Sequence, residues 1–277
     1  MTTKIVFRER LLVVLTILLL FGCEQSKQEK KSMEITTPSS VLDWKALEQK
    51  KVVFGHQSVG NNILNGIKRL ADRDGVKINI QEQRSAPTIN GISHFFIGKN
   101  GDPKSKILDF ASGIDAGAAQ GANIAMMKLC YVDINPTSDV RQLANDYIKS
   151  LDLLSEKYPD TSFVAITSPL QTVQTGLKAW TKNLIGKQQS GYLENERRSE
   201  FNTLLRERYF TEGRLFDLAK VESNGKICKA IVDKREVEVL CPDFTDDGGH
   251  LNERGQELVA TAFVNFISSF NAKHVAR

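Results

Sequence analysis

Three side chains in this sequence have the types needed to move a proton and attack a carbonyl group. Ser58 lies in Gly55-His56-Gln57-Ser58-Val59-Gly60, directly after the apolar run Lys51–Gly55 and before an amphipathic stretch. A serine at a helix N-terminus sits among unpaired backbone N–H groups and the positive end of the helix dipole. Both favour negative charge developing on a neighbouring oxygen. The competing use of such a serine is to cap the helix. Asp247 and His250 stand three apart in the glycine-rich string Asp246-Asp247-Gly248-Gly249-His250-Leu251-Asn252. A loop of this kind can fold so that a carboxylate accepts from one imidazole nitrogen and leaves the other free to take a hydroxyl proton. The alternative is a turn in which Asp247 or Asn252 caps the following helix.

Those residues need a scaffold, and the apolar pattern supplies one. Short apolar runs at 51–55, 76–80, 124–132, 163–167 and 215–218 read as strands. Helical spacing follows: Ile63, Leu64, Ile67 and Leu70 in one stretch, then Val140, Leu143, Tyr147, Leu151 and Leu154 after an Ser138 or Asp139 cap. Residues 194–210 and 252–270 add two more amphipathic helices. Residues 84–103, rich in Ser, Gly, Asn and Pro, read as one long connection. Alternation of this kind predicts an α/β fold: three α/β/α layers around a central, mainly parallel five-stranded sheet. Ligands of such sheets lie beyond the carboxyl ends of the strands, where Ser58 falls.

Taken together, the two loops resemble the SGNH/GDSL hydrolase superfamily. The similarity spans roughly residues 50–270 and rests on a Ser after the first strand, on Asp-x-x-His before the last helix, and on His250-Leu251-Asn252-Glu253-Arg254-Gly255. It implies a flavodoxin-like sheet, with Ser58 as nucleophile, His250 as general base and Asp247 as its orienting partner. The sequence departs from the family in two places. One extra residue separates Gly55 from Ser58, and Cys130-Tyr131-Val132-Asp133 stands where the family has Gly-x-Asn-Asp. The usual Asn donor to the oxyanion is therefore missing. The loop Gly98-Lys99-Asn100-Gly101-Asp102 offers two replacements, the Gly98 backbone N–H and the Asn100 amide; a plain Gly/Asn turn is the simpler use of those residues. His56, two residues before Ser58, is a candidate substrate contact or a hydrogen-bonding partner within the turn.

The N-terminus reads as an address. Lys4, Arg8 and Arg10 precede the apolar run 11–22, which as a helix rises only about 18 Å, short of a roughly 30 Å hydrocarbon core. Leu20-Phe21-Gly22-Cys23 resembles a bacterial lipobox, implying a signal peptide over 1–22 and lipidation of Cys23; Glu24 after it implies outer-membrane delivery, facing the periplasm. Residues 23–40 are polar and read as a flexible tether, and the folded domain as 41–277. Cys228 and Cys241 flank two β-rich runs and are candidates for a disulfide, as an exported protein permits. Cys130, in an apolar run, reads as a buried structural residue.

Other function classes find no support. The chain carries a formal charge of +4, half of it within the first 22 residues, so the rest offers no electrostatic footprint for nucleic acid. Cysteine and histidine spacings do not suit zinc, no phosphate-binding loop occurs, and the turn after the first strand lacks Gly-x-Gly-x-x-Gly. No cofactor or metal is expected. The expected activity is hydrolysis or transfer of an acyl ester, with O-acetylated carbohydrate as a substrate class that the resemblance suggests. The competing expectation is an inactive carbohydrate- or envelope-binding lipoprotein on the same fold. Tyr131, Trp180 and Tyr192 serve either packing or sugar stacking, and 171–193 is a candidate cover for the site.

Overall fold

The computed structural model describes residues 42–174, 190–232 and 235–270. The signal segment, Cys23, the tether and Trp180 lie outside them, as does most of 171–193. Among the described residues no helix is long and apolar enough to cross a membrane. In chain order the elements are α1 (Trp44–Glu48), β1 (Lys51–His56), α2 (Ser58–Arg73), β2 (Ile80–Glu82), β3 (Gly91–Phe96), α3 (Pro103–Gly113) and β4 (Ile124–Met127). They continue with α4 (Val140–Lys157), β5 (Ser162–Ile166), α5 (Tyr192–Tyr209), β6 (Leu215–Phe216), α6 (Leu218–Glu222), β7 (Lys229–Val232), β8 (Arg235–Glu238) and α7 (Glu253–Ser269).

Strands β1 to β6 form one parallel sheet in the order β2-β3-β1-β4-β5-β6, so it has six strands rather than the expected five. The extra strand is β3, inside the segment read as a long connection. Its sequence, Gly-Ile-Ser-His-Phe-Phe, carries Ser93 and His94 where a buried strand is usually aliphatic, which hides it from a hydropathy reading. Its inner position, paired along its length with β1, buries both residues. The second strand also shifts, from 76–80 to Ile80–Glu82, and lies at the sheet edge.

The sheet is covered on both faces. On one, α2 and α7 pack against each other and Phe263 of α7 meets Phe54 and Phe216 of the sheet. On the other, Phe110 of α3, Leu143 and Tyr147 of α4, and Phe201 and Leu205 of α5 share a core with Val53, Ala125 and Phe163. The chain leaves β1 toward β2 and β3 on one side, and reaches β4 on the other. β1 is therefore the switch point, and the crevice at its carboxyl end is where such sheets bind ligands.

Outside the sheet, β7 and β8 pair antiparallel as a hairpin. The disulfide Cys228–Cys241 closes its base, with the two Cα atoms 5.2 Å apart. Cys130 is a free, buried cysteine.

Candidate active site

The turn after β1 places Ser58 as the first residue of α2. Gln57 stands at the cap position with an extended backbone and no side-chain cap hydrogen bond. Ser58 therefore does not cap the helix. Its Oγ lies 3.0 Å from His250 Nε2. As the first helical residue its own N–H has no intrahelical acceptor, and none occurs elsewhere among the described residues.

The loop before α7 supplies the other two groups. Asn252 takes the capping role there, accepting from Gly255 N at 3.0 Å, which leaves Asp247 free. Asp247 Oδ2 lies 2.6 Å from His250 Nδ1. Its other oxygen, Oδ1, accepts from the backbone N–H groups of Gly249 at 2.9 Å and His250 at 2.8 Å. Burial opposes the charge on Asp247, but these N–H groups and the imidazole outweigh it and hold the carboxyl down at about 2. Facing an ionised carboxylate, Nδ1 carries the imidazole proton, so Nε2 is left to accept from Ser58. Asp247, His250 and Ser58 thus stand in one hydrogen-bonded line, and the side chains of Asp247 and His250 are 57% and 40% exposed, open to solvent.

One neighbour packs against the imidazole and another ties down its loop. Tyr131, after β4, meets it edge-on with ring centres 5.5 Å apart. Gly249 allows this approach, since a Cβ there would fall 2.5 Å from the Tyr131 ring. Asn62 of α2 accepts from Leu251 N at 3.2 Å and ties the helix that begins with Ser58 to the histidine loop.

The expected oxyanion donors divide. The N–H of Gly98 donates to Asp109 Oδ2 at 2.8 Å, so it is not available as a donor to substrate; the Asp109 carboxylate, brought by α3, was not visible as its partner in the sequence. Asn100 is exposed, and its Oδ1 accepts from Lys106 Nζ at 2.9 Å. Its Nδ2 has no acceptor among the described residues. The Gln57 side chain, adjacent to Ser58, donates to the carbonyls of Ile97 and Gly98 at 2.8 and 3.1 Å and binds this loop to the turn that carries Ser58.

His56 does not reach the site surface. It is fully buried, with Nδ1 2.8 Å from the Gln57 carbonyl and Nε2 3.0 Å from His94 Nδ1. Burial pushes it down to about 3, so it is a neutral structural residue and the substrate-contact expectation is corrected. Its partner His94 comes from β3, the strand absent from the sequence reading. Of the aromatic residues, Tyr192 is fully buried and packs in the interior, whereas Tyr131 belongs to the site. The described residues contain no cluster of His, Cys, Asp or Glu able to hold a metal ion.

No protein-family model and no curated protein matches the chain. Among solved structures it is similar to the periplasmic domain of a lipopolysaccharide acetyltransferase from Salmonella ser. Paratyphi A, with 14% identity and a TM-score of 0.46, over 82% of this chain and 90% of that one. It is also similar to the psychrotrophic esterase EstA from Pseudoalteromonas sp., with 9% identity and a TM-score of 0.45, over 79% of this chain and 96% of that one.

Proposed function

We propose that this protein is a serine-dependent acyl esterase or acyltransferase of SGNH type. The observation that carries the reading is the line Asp247–His250–Ser58, with spacings of 2.6 and 3.0 Å. Ser58 Oγ attacks the ester carbonyl as His250 Nε2 takes its proton. Asp247 fixes the imidazole tautomer and stabilises the imidazolium that forms. The carbonyl oxygen, now an anion, is met by the Ser58 N–H and the Asn100 Nδ2. His250 then returns the proton to the leaving alcohol. A water or a second alcohol resolves the acyl-enzyme by the reverse steps.

The substrate class proposed is an O-acetyl ester on carbohydrate. Exposure of Asp247 and His250 supports an alcohol portion too large to enter a closed cavity. The proposed location is the bacterial envelope, with an acyl chain on Cys23 and the catalytic unit facing the periplasm from the outer membrane. Comparing the products of an acetylated glycan, with and without a second glycan as acceptor, tests the reading. Acetate release or acetyl transfer by the wild type, abolished in Ser58→Ala, is expected; equal activity of the two proteins contradicts it.

A further inference from the structure

The route by which Asn100 is aimed has a buried origin. Lys106 lies on α3 and Asp133 follows β4, and both side chains are completely shielded from solvent, with Nζ 2.6 Å from Oδ2. An ion pair removed from water is costly unless its remaining hydrogen-bonding capacity is met. Here it is met in a directed way. Asp133 also accepts from the backbone N–H groups of Cys130 at 2.6 Å and Gly101 at 2.8 Å. Lys106 makes one further hydrogen bond, to Asn100 Oδ1 at 2.9 Å.

An ammonium group has donors only, so the Asn100 atom that faces it must be the carbonyl oxygen. The amide orientation is therefore set by charge. Nδ2 is turned away from Lys106 and has no acceptor among the described residues. The same carboxylate, through Gly101 N, holds the backbone next to Asn100, while the Gln57 side chain holds the carbonyls of Ile97 and Gly98 beside the nucleophile. Asp133 belongs to the same short segment as Tyr131, which contacts His250. One buried pair thus connects the loop that carries Asn100 to the strand end that braces the general base.

We propose that the buried Asp133–Lys106 pair is a positioning device that aims the Asn100 amide as the side-chain donor to the oxyanion. The inference rests on the esterase reading and specifies how its oxyanion site is built. Lys106 and Asp133 touch no substrate; they act through Asn100.

The test uses the full-length protein and p-nitrophenyl acetate as probe, with kcat and KM measured separately and folding followed by thermal melts. Asn100→Ala is expected to lower kcat about 10²- to 10³-fold, the range for loss of one oxyanion donor, with KM changed about twofold or less. Asn100→Asp is expected to be slower than Asn100→Ala: Lys106 still takes one oxygen, and the other presents negative charge where the donor stood. Asn100 is exposed, but Asn100→Ala takes an acceptor from the buried Lys106, so the thermal melt separates a loss of fold from a loss of kcat, and Asn100→Asp keeps that acceptor. Lys106→Met with Asp133→Asn removes both buried charges together and is expected to lower kcat to a similar degree. Adding Asn100→Ala to that pair should then change kcat by less than about threefold. The inference is overturned if Asn100→Asp equals or exceeds Asn100→Ala, or if Asn100→Ala retains its full effect in a folded Lys106→Met, Asp133→Asn background. A wild type that fails to turn over the probe and leaves Ser58 unmodified by a fluorophosphonate overturns the esterase reading itself. An active wild type with an unaffected Asn100→Ala overturns the positioning proposal alone.

Discussion

Asp247 stays charged at any pH near neutrality because the Gly249 and His250 N–H groups and the imidazole outweigh the effect of burial. Its charge fixes the proton on His250 Nδ1. Asp247→Asn presents an amide that can donate to Nδ1 and so favours the tautomer with the proton on Nε2, facing Ser58. The expected result is a loss of kcat of about 10⁴-fold with the fold intact, the size seen when this tautomer is lost in a serine protease. Steady-state kinetics beside a thermal melt checks this; a loss below tenfold would show that Asp247 does not set the tautomer. At this scale the sequence was informative about groups defined by local spacing, namely Ser58 after a strand and Asp247 three residues before His250. It assigned no role to Lys106, Asp109 or Asp133. Their roles arise from α3 and the end of β4 meeting in space, and a lysine on a helix reads as solvated until its burial is seen.

The line Asp247–His250–Ser58 spans two helices, since α2 begins with Ser58 and α7 follows His250. Their packing therefore sets the distance from Ser58 to His250. They meet at Gly66, where a Cβ would lie 2.3 Å from the Gln256 carbonyl oxygen and 2.7 Å from the Ala260 Cβ. Gly66→Ala must push the helices apart. It is expected to destabilise the protein by about 1–3 kcal/mol and to lower kcat. Urea unfolding with parallel kinetics tests both effects; unchanged stability would show that the contact yields. The elements that carry Ser58, Asp247 and His250 were legible because β1, α2 and α7 follow clean apolar periods. β3 was not, because its buried His94 and Ser93 are paid for by tertiary partners, His56 Nε2 at 3.0 Å and the Gln83 amide at 2.8 Å. Such compensation belongs to the fold and leaves no local pattern.

Across the whole molecule, stability depends on charge states in the interior. Glu222 is fully buried; Leu170 N donates to one oxygen at 2.6 Å and the other has no partner among the described residues. Burial pushes its carboxyl up to about 8, against the Leu170 N–H and the Lys128 and Arg198 charges. The folded protein thus keeps a proton that the unfolded chain releases near 4.5. Stability from this group is full below that value and is lost as pH rises from about 4.5 toward 8. Glu222→Gln keeps the neutral form and is expected to flatten the fall in unfolding free energy across that interval. Urea midpoints measured at several pH values test this; parallel wild-type and variant curves would contradict it. The α/β class, the parallel sheet and the order of its main elements were legible at this scale because apolar strands alternate with amphipathic helices. The titration of a buried glutamate was not, because it depends on Lys128 just after β4, Arg198 of α5 and Leu170 in the loop after β5.

The central claim is that Ser58 is a nucleophile activated by His250. The most direct measurement is reaction of the full-length protein with a fluorophosphonate, with the adduct mapped by peptide mass spectrometry and His250→Ala run alongside. A phosphonyl group on Ser58 of the wild type, absent from the variant, is the expected result. A folded wild type left unmodified at Ser58, or equal labelling of both proteins, would contradict it.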